Sequence, residues 1–174
     1  MEFRVFPKIP RLFREMIITE KIDGTNASIH VSADGLQIQF ASRNRFITPI
    51  DDNFGFAMWG QQNVTELLKL GPGSHYGEWW GVGIQRGYEL SERRFSLFNV
   101  SKWADPALKP KCCSIVPILY EGLFCTETID GVLKSLSQYG SRAVPNYMKP
   151  EGIVIYHKAA GSMFKVTLEG DKKG

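Results

Sequence analysis

A lysine at the end of a short apolar run is the residue with the clearest potential for chemistry. Residues 19–26 read TEKIDGTN, so Lys21 is followed almost at once by an Asp-Gly turn. A deprotonated lysine amine can attack an electrophile and form a covalent intermediate. Asp-Gly is a common turn, however, and a lysine at the end of a strand is usually only solvated. Taken alone, this motif favours a solvated surface lysine over a nucleophile.

Further segments, in order along the chain, contain the residue types that a lysine attacking a nucleotide would need. Basic side chains occur in SRNR at residues 42–45, and a carboxylate occurs in the glycine-rich run GEWWGVGIQ at residues 77–85. Aromatic rings follow in FSLF at 95–98, a second carboxylate in EGIVIY at 151–156, and a second lysine in FKV at 164–166. The order of these segments is the signal, because each fragment alone is common.

Two familiar nucleotide-binding motifs are missing from the sequence. No segment has the G-x-x-x-x-G-K-[ST] pattern of a phosphate-binding loop. Gly81, Gly83 and Gly87 miss the G-x-G-x-x-G spacing of a dinucleotide-binding fold by one residue. Side chains must therefore bind any nucleotide.

The ordered segments resemble the covalent nucleotidyltransferase superfamily of ATP-dependent ligases and mRNA capping enzymes, and most closely the RNA ligase 2-like family of bacteriophages and relatives. Asn26 favours that family, because DNA ligases and capping enzymes usually carry arginine there. The resemblance implies an ATP-dependent RNA ligase. Lys21 would form a lysyl-AMP, the AMP would pass to a 5′-phosphate, and a 3′-hydroxyl would seal the strand. It also implies ATP and Mg²⁺ as cofactors, with Mn²⁺ as a substitute.

The resemblance assigns roles to individual residues of the predicted site. Lys21, Lys165 and Glu151 would be catalytic, with Lys165 on the α-phosphate and Glu151 at the metal. Glu78 would accept a hydrogen bond from a ribose hydroxyl. The full predicted nucleotide-binding set is Glu20, Lys21, Ile22, Asn26, Arg43, Glu78, Phe98, Glu151 and Lys165.

Two of these roles compete with ordinary structural ones. Arg43 would contact the ribose and the sealing site, although an arginine at a strand end is often just solvated and Arg45 could substitute for it. Alternation along the predicted strand places Phe95 and Leu97 on one face and Phe98 on the other. An aromatic side chain in a strand is core by default, whereas the resemblance makes Phe98 the platform that stacks on adenine.

The chain departs from the family where positive charge would help the lysine. A nearby cation disfavours the ammonium form of Lys21, and Lys165 or bound Mg²⁺ could supply it. Thr167 stands where the family commonly has a second lysine, and Tyr156 stands where it has a basic residue, although Lys158 follows closely. These losses leave a catalytically weakened nucleotide- or nucleic-acid-binding module as one alternative. A GTP-dependent capping-type guanylyltransferase is the other, because it shares the lysine chemistry.

The pattern of predicted strands and helices indicates an α+β fold of antiparallel sheets flanked by helices. We expect the ATP pocket to lie between the sheets. Short apolar runs bounded by turn signals predict strands, while residues 54–70, with Asp52 as N-cap, and residues 126–139 predict helices. The predicted strands are residues 16–21, 27–31, 36–41, 76–80, 95–100, 152–156 and 163–168, and residues 112–124 hold a further apolar run. Residues 33–35 predict a hairpin turn.

Composition places the chain among folded globular proteins of one domain, residues 1–174. It has 174 residues, 43% hydrophobic and 22% charged, with a net charge of +3 that demands no nucleic-acid partner. Cys112, Cys113 and Cys125 lack zinc-site spacing and read as free thiols of a reducing cytosol. No segment reads as a signal peptide or a membrane span. We therefore expect a cytoplasmic monomer with no membrane partner.

The end of the chain bears on the expected partners. Relatives place a further domain after the last motif to grip nucleic acid, and little sequence follows Lys165. We therefore expect no C-terminal nucleic-acid-gripping domain here, either in a truncated catalytic domain or in a naturally minimal ligase. The expected substrate is RNA or nicked duplex with a 5′-phosphate and a 3′-hydroxyl, and a partner domain or protein would replace the missing domain.

Overall fold

The computed structural model describes residues 1–170. These residues form ten strands and four α-helices, which follow one another as β1 (Glu15–Lys21), β2 (Thr25–Val31), β3 (Ile38–Ser42), β4 (Phe46–Ile47), α1 (Phe56–Gln62), α2 (Val64–Leu67), β5 (Gly73–Gly81), β6 (Arg93–Leu97), α3 (Val100–Trp103), β7 (Cys113–Ile115), β8 (Ile118–Leu123), α4 (Thr126–Tyr139), β9 (Gly152–His157) and β10 (Ser162–Thr167). Short 3₁₀ turns follow α2 and β5, at Leu68–Leu70 and Gly87–Glu89.

The strands form two sheets that carry different parts of the predicted site. The four-stranded sheet has the order β10-β9-β1-β8, and the six-stranded sheet has the order β4-β3-β2-β5-β6-β7. Every pairing is antiparallel except that of β6 with β7, which is parallel. The chain crosses from one sheet to the other in the three residues between β1 and β2, directly after Lys21.

Alternation along the strands divides the core into three clusters. Met16 and Ile18 of β1 pack beneath α4 around Leu136, on the outer face of the four-stranded sheet. Trp79 and Phe95, with other residues of the six-stranded sheet, pack against α1 and α2 on its outer face. The third cluster lies between the sheets and contains Ile17, Ile22, Trp80, Tyr88, Val100, Val116 and Tyr147. The helices thus lie outside, as the sequence predicts.

The long helix predicted at residues 54–70 is wrong in its extent. Asp52 does bind the start of the helix, because its carboxylate accepts the backbone N–H groups of Ala57 at 2.8 Å and Met58 at 3.0 Å. Asn63 then interrupts the helix, at φ −117° and ψ 15°, and its side-chain amide donates to the Trp59 carbonyl at 2.8 Å. Local side-chain hydrogen bonds of this kind compete with the helical pattern.

Other boundaries differ by a few residues. The helix predicted at 126–139 is confirmed as α4. The strand predicted at 95–100 ends at Leu97, because Asn99 caps α3 by accepting the N–H of Lys102. The hairpin turn at 33–35 is confirmed, with Gly35 at φ 73°, but the following strand begins at Ile38 and leaves Leu36 exposed.

Residues 1–14 form no helix or strand and are all exposed. Their last three residues are attached to the four-stranded sheet. His157 donates to the carbonyl of Leu12 at 2.6 Å, and the N–H of Phe124 donates to the carbonyl of Arg14 at 2.8 Å. None of the helices within residues 1–170 combines the length and apolar character needed to cross a membrane.

Candidate active site

Lys21 lies at the last position of β1 and faces a carboxylate. Its Nζ donates to Oε2 of Glu151 at 2.7 Å, and both side chains are largely buried, at 25% and 17% exposure. Glu151 directly precedes β9, and its backbone carbonyl accepts the N–H of Leu168 at 2.9 Å. A lysine and a carboxylate separated by 130 positions are thus held in contact by the pairing of β1, β9 and the end of β10.

The register of the four-stranded sheet places Lys165 and Thr167 on the same face as Lys21. Lys21 pairs with Gly152, and Gly152 pairs in turn with Thr167 on β10. Lys165 lies two pairs further along β10, across Val154. Lys165 is exposed. The position that holds Thr167 is therefore the one directly in line with Lys21.

Gly152 allows this close arrangement. A Cβ atom at Gly152 would lie 2.2 Å from the backbone carbonyl oxygen of Val166. Only glycine permits β9 and β10 to approach this closely next to Lys21. The glycine that follows Glu151 in the sequence motif is thus required by packing.

Glu78 and Asn26 are neighbours on the six-stranded sheet. Asn26 on β2 lies directly opposite Glu78 on β5, and Glu78 lies opposite Ser96 on β6. Oε1 of Glu78 accepts the backbone N–H of Gly24 at 3.1 Å, which ties β5 to the turn that follows Lys21. Side chains of a paired couple share one face, so Asn26 and Glu78 form a common polar surface.

Burial raises the pKa of Glu78 to about 7. The positive charge of Lys21 and the hydrogen bond from Gly24 oppose this rise, while the carboxylates of Glu151 and Asp23 add to it. Glu78 therefore changes its charge near neutral pH, in a cluster of acidic groups around one lysine. Strongly shifted groups of this kind are enriched at functional sites.

Phe98 and Arg43 differ in burial, because Phe98 is half-buried and Arg43 is exposed. Phe98 is half-buried against the cluster between the sheets, while Phe95 and Leu97 lie in the core on the other face, so the predicted alternation is confirmed. Arg43 is exposed in the β3–β4 connection, one residue beyond the pair of Ala27 with Ser42, and hence level with Asn26. No bond joins Arg43 to Lys21 among the described residues.

Arg45, the substitute considered for Arg43, is already engaged. Its guanidinium forms an ion pair with Asp51 at 2.5 Å, and both side chains are well exposed. It also donates to the backbone carbonyls of Phe46 and Asp51. The guanidinium of Arg45 therefore stabilises its own loop in this structure.

Glu20 and Ile22, the two neighbours of Lys21, are buried in the protein. Ile22 belongs to the cluster between the sheets. The carboxylate of Glu20 accepts hydrogen bonds from the hydroxyl of Ser141 at 2.6 Å and from the backbone N–H groups of Arg142 at 2.7 Å and Ala143 at 3.0 Å. These side chains hold β1 in place, so a nucleotide contact by either residue would have to use its backbone.

Arg86 and Tyr88 were missed by the sequence analysis, although they follow the glycine-rich run. Nε of Arg86 donates to Oδ2 of Asp23 at 3.0 Å, and its guanidinium also donates to the Lys149 carbonyl at 3.3 Å. The hydroxyl oxygen of Tyr88 accepts the N–H of Asp23 at 2.8 Å. The turn after Lys21 is thus held from both its backbone and its side chain, next to the segment that leads to Glu151.

The loop that presents Arg86 and Tyr88 has an unusual backbone. Gln85, Tyr88 and Glu89 have positive φ angles of 45°, 55° and 56°, which are rare for residues other than glycine. Such conformations persist only where surrounding structure enforces them, and they are common at functional sites. Tyr88 is completely buried, which supplies that enforcement.

A divalent metal ion fits the chemistry of Glu151. Within residues 1–170, no group of three or more His, Cys, Asp or Glu residues is arranged to hold a metal ion. Mg²⁺ is commonly bound by one or two carboxylates, substrate phosphates and several waters, and needs no complete protein cage. Oε2 of Glu151 contacts Lys21, and its other oxygen has no hydrogen-bond partner among the described residues. Glu151 could therefore hold such an ion together with phosphate.

The chain matches the RNA ligase family over residues 14–167. Structures of variants of the Naegleria gruberi RNA ligase with ATP and Mn, and with AMP and Mn, have TM-scores of 0.63 and 0.62 at 21% and 20% identity. An apo variant of that ligase has a TM-score of 0.64 at 20% identity. Each match covers 90% of this chain and 50% of the ligase chain. No curated protein matches the chain.

These likenesses show a shared fold, and the chain spans about half the length of the ligases that it resembles. The family match extends over nearly all of the described residues, from the start of β1 to the end of β10. It includes Lys21, Glu78, Glu151 and Lys165 in the arrangement described above. The chain is a member of the RNA ligase family.

Proposed function

We propose that this chain is a single nucleotidyltransferase domain of an ATP-dependent RNA ligase and that Lys21 is its nucleophile. The observation that carries the proposal is the contact of Lys21 with Glu151 at 2.7 Å, at the point where the chain leaves the four-stranded sheet for the six-stranded sheet. Glu78, Asn26 and Phe98 lie at the same end of the six-stranded sheet, where a nucleoside could contact a carboxylate, an amide and an aromatic ring.

In the first step, Nζ of Lys21 loses its proton and attacks the α-phosphorus of ATP. A P–N bond forms, the bond from the α-phosphorus to its bridging oxygen breaks, and pyrophosphate leaves. Glu151 is in hydrogen-bond contact with the ammonium and can accept the proton. A divalent cation, Mg²⁺ or Mn²⁺, would supply positive charge at the phosphates.

The remaining predicted residues would orient the nucleotide. Asn26 and Glu78 would bind the sugar, and Phe98 would stack against adenine. Arg43 is exposed and level with Asn26, so it would contact the ribose or the incoming strand. Lys165 lies on the same sheet face as Lys21 and would meet the α-phosphate. Glu20 and Ile22 would contribute backbone contacts.

The later steps define the substrate. AMP would pass from Lys21 to a 5′-phosphate, and a 3′-hydroxyl would then displace AMP and seal the strand. The substrate in this proposal is RNA or nicked duplex, acted on in the cytoplasm by a monomer. The longer length of the related ligases supports a role for a partner domain or protein in strand binding.

The test is the intact mass of the protein after incubation with ATP and Mg²⁺. We expect the chain to gain one AMP, Lys21→Ala to gain none, and Lys134→Ala, which changes an exposed lysine of α4, to react as the parent does. Labelling by GTP in place of ATP would favour a capping-type guanylyltransferase. Protection from unfolding by ATP without a covalent product would show a nucleotide-binding module and would contradict the proposal.

A further inference from the structure

Residues 1–14, called the arm below, carry all of the formal net charge of the chain. The arm contains four basic residues, Arg4, Lys8, Arg11 and Arg14, and one acidic residue, Glu2. Its net charge is therefore +3, equal to that of the full chain, which has 21 basic and 18 acidic residues. The other 160 residues hold 17 of each sign and are neutral overall. Positive charge is concentrated where the chain has no regular structure.

The charges and the rings of the arm are available to a partner. Within the described part of the chain, none of the four basic side chains forms an ion pair, and residues 1–11 make no hydrogen bond to other segments. Phe3, Phe6 and Phe13 are exposed by 90%, 79% and 70%. Basic and aromatic side chains are interspersed along the arm, which is the combination that proteins use to contact phosphates and stack on bases of single strands.

A cavity at the base of the arm adds a site for an anion. It has a volume of about 460 Å³. Lys8, Arg11 and Arg14 line one side of it, and Ala159 and Ala160 of the β9–β10 turn line the other. Three cations converge there without an acidic residue in the lining. A phosphate group matches this charge.

The arm lacks one feature of segments that bind an anionic membrane, the main alternative partner. Such segments often insert the apolar face of an amphipathic helix into the headgroup region. Pro7 and Pro10 lie in the middle of the arm, and proline within a helix removes a hydrogen bond and clashes with the preceding turn. The observed arm is not helical. An extended basic and aromatic segment fits a nucleic-acid strand better.

We propose that the arm binds the phosphate backbone and bases of the RNA strand on which the site acts. The arm enters β1 at Glu15, and Lys21 ends the same strand. Seven strand residues span about 20 Å. At roughly 3.4 Å per nucleotide of a helical strand, the arm would contact RNA about six nucleotides from the end held at Lys21. The identity of the polymer as RNA and the position of its end rest on the proposed function.

The test compares RNA binding by two variants of equal net charge. Arg4→Gln, Lys8→Gln, Arg11→Gln and Arg14→Gln are combined in the arm variant. Lys69→Gln, Lys102→Gln, Lys111→Gln and Lys134→Gln, at exposed positions elsewhere, form the control. Binding of a labelled single-stranded RNA is measured without ATP between about 50 and 200 mM salt. The slope of log K against log salt is expected to fall in magnitude by about 2 to 3 in the arm variant alone.

Two further measurements complete the design. Phe3→Ser with Phe6→Ser is expected to weaken RNA binding about fivefold or more while the salt slope is kept. A second charge variant combines Arg4→Gln with Lys8→Gln. Both positions lie in the part of the arm that makes no hydrogen bond to other segments, so we expect this variant to fold as the parent does. Its slope should fall by about 1.4.

The outcomes separate this inference from the proposed function. Equal salt slopes for the arm variant and the control would overturn the inference. Arm-dependent binding to vesicles of phosphatidylcholine and phosphatidylserine, without arm-dependent RNA binding, would also overturn it. Lysyl-AMP formation is measured on the same proteins without RNA, and all variants should react as the parent does. Failure of that reaction in the parent would count against the proposed function and leave the binding result intact.

Discussion

The Glu78→Gln variant should be more stable than the parent at alkaline pH and equally stable at acidic pH. The ordinary pKa of this carboxyl is 4.5, and burial raises the pKa to about 7 in the folded chain. Below pH 4.5, the folded and unfolded states are both protonated, so burial carries no charge penalty. Between pH 4.5 and 7 the unfolded state releases its proton first, and the stability of the parent falls.

The size of the effect follows from the pKa change. Each pKa unit corresponds to about 1.4 kcal/mol, so the rise from 4.5 to about 7 costs roughly 3 kcal/mol once the carboxyl is ionised in both states. Glutamine has nearly the same volume, stays neutral, and its carbonyl can still accept the N–H of Gly24. The variant therefore removes the penalty without opening a cavity.

The assay is urea unfolding of parent and variant at pH 5 and at pH 8.5. We expect the difference in unfolding free energy to grow by about 2–3 kcal/mol in favour of Glu78→Gln at the higher pH. Glu89→Gln, at an exposed position of the neighbouring turn, serves as the matched control and should show no such growth. A pH-independent difference between parent and Glu78→Gln, or a less stable variant at pH 8.5, would refute the reasoning.

Two other substitutions test the surroundings of Lys21. Glu20→Ala should destabilise the fold by about 3 kcal/mol or more, since it leaves the Ser141 hydroxyl and two N–H groups without their charged acceptor; urea unfolding measures this, and a loss below about 1 kcal/mol would contradict it. Thr167→Lys should raise the rate of lysyl-AMP formation by up to roughly twentyfold, because a charge about 10 Å from Lys21 contributes at most about 1.7 kcal/mol. Thr167→Gln is the uncharged control, and equal rates for both variants would exclude a charge effect.

The placement of candidate site residues could be predicted from the sequence where it depends on a local motif. Lys21 lies three residues before Gly24, and Glu78 and Glu151 each adjoin a glycine. The structure brings all three side chains close enough for their charges to interact. Strand alternation was enough to separate Phe98 from Phe95. These inferences need only neighbours in sequence and the period of a strand.

The parts that escaped prediction depend on contacts between distant segments. The hydroxyl of Ser141 bonds to Glu20, which is 121 positions away in the sequence, and Arg86 bonds to Asp23, which is 63 positions away. No local sequence pattern predicts either contact. The helix is interrupted at Asn63, where the side chain bonds to the Trp59 carbonyl. Helix propensities of single residues do not predict this hydrogen bond. The parallel pairing of β6 with β7 likewise follows from how the chain returns after α3, which periodicity cannot show.

The position of the tryptophans decides what an optical experiment can observe. Trp59, Trp79 and Trp103 lie in the core of the six-stranded sheet, and Trp80 faces the cluster between the sheets. The rings of Trp59 and Trp79 are 5.0 Å apart, close enough for their excited states to interact. No tryptophan lies in β1, β8, β9, β10 or α4. Intrinsic fluorescence therefore reports on one half of the molecule, and local opening of the sheet that holds Lys21 would be optically silent unless it disturbed Trp80.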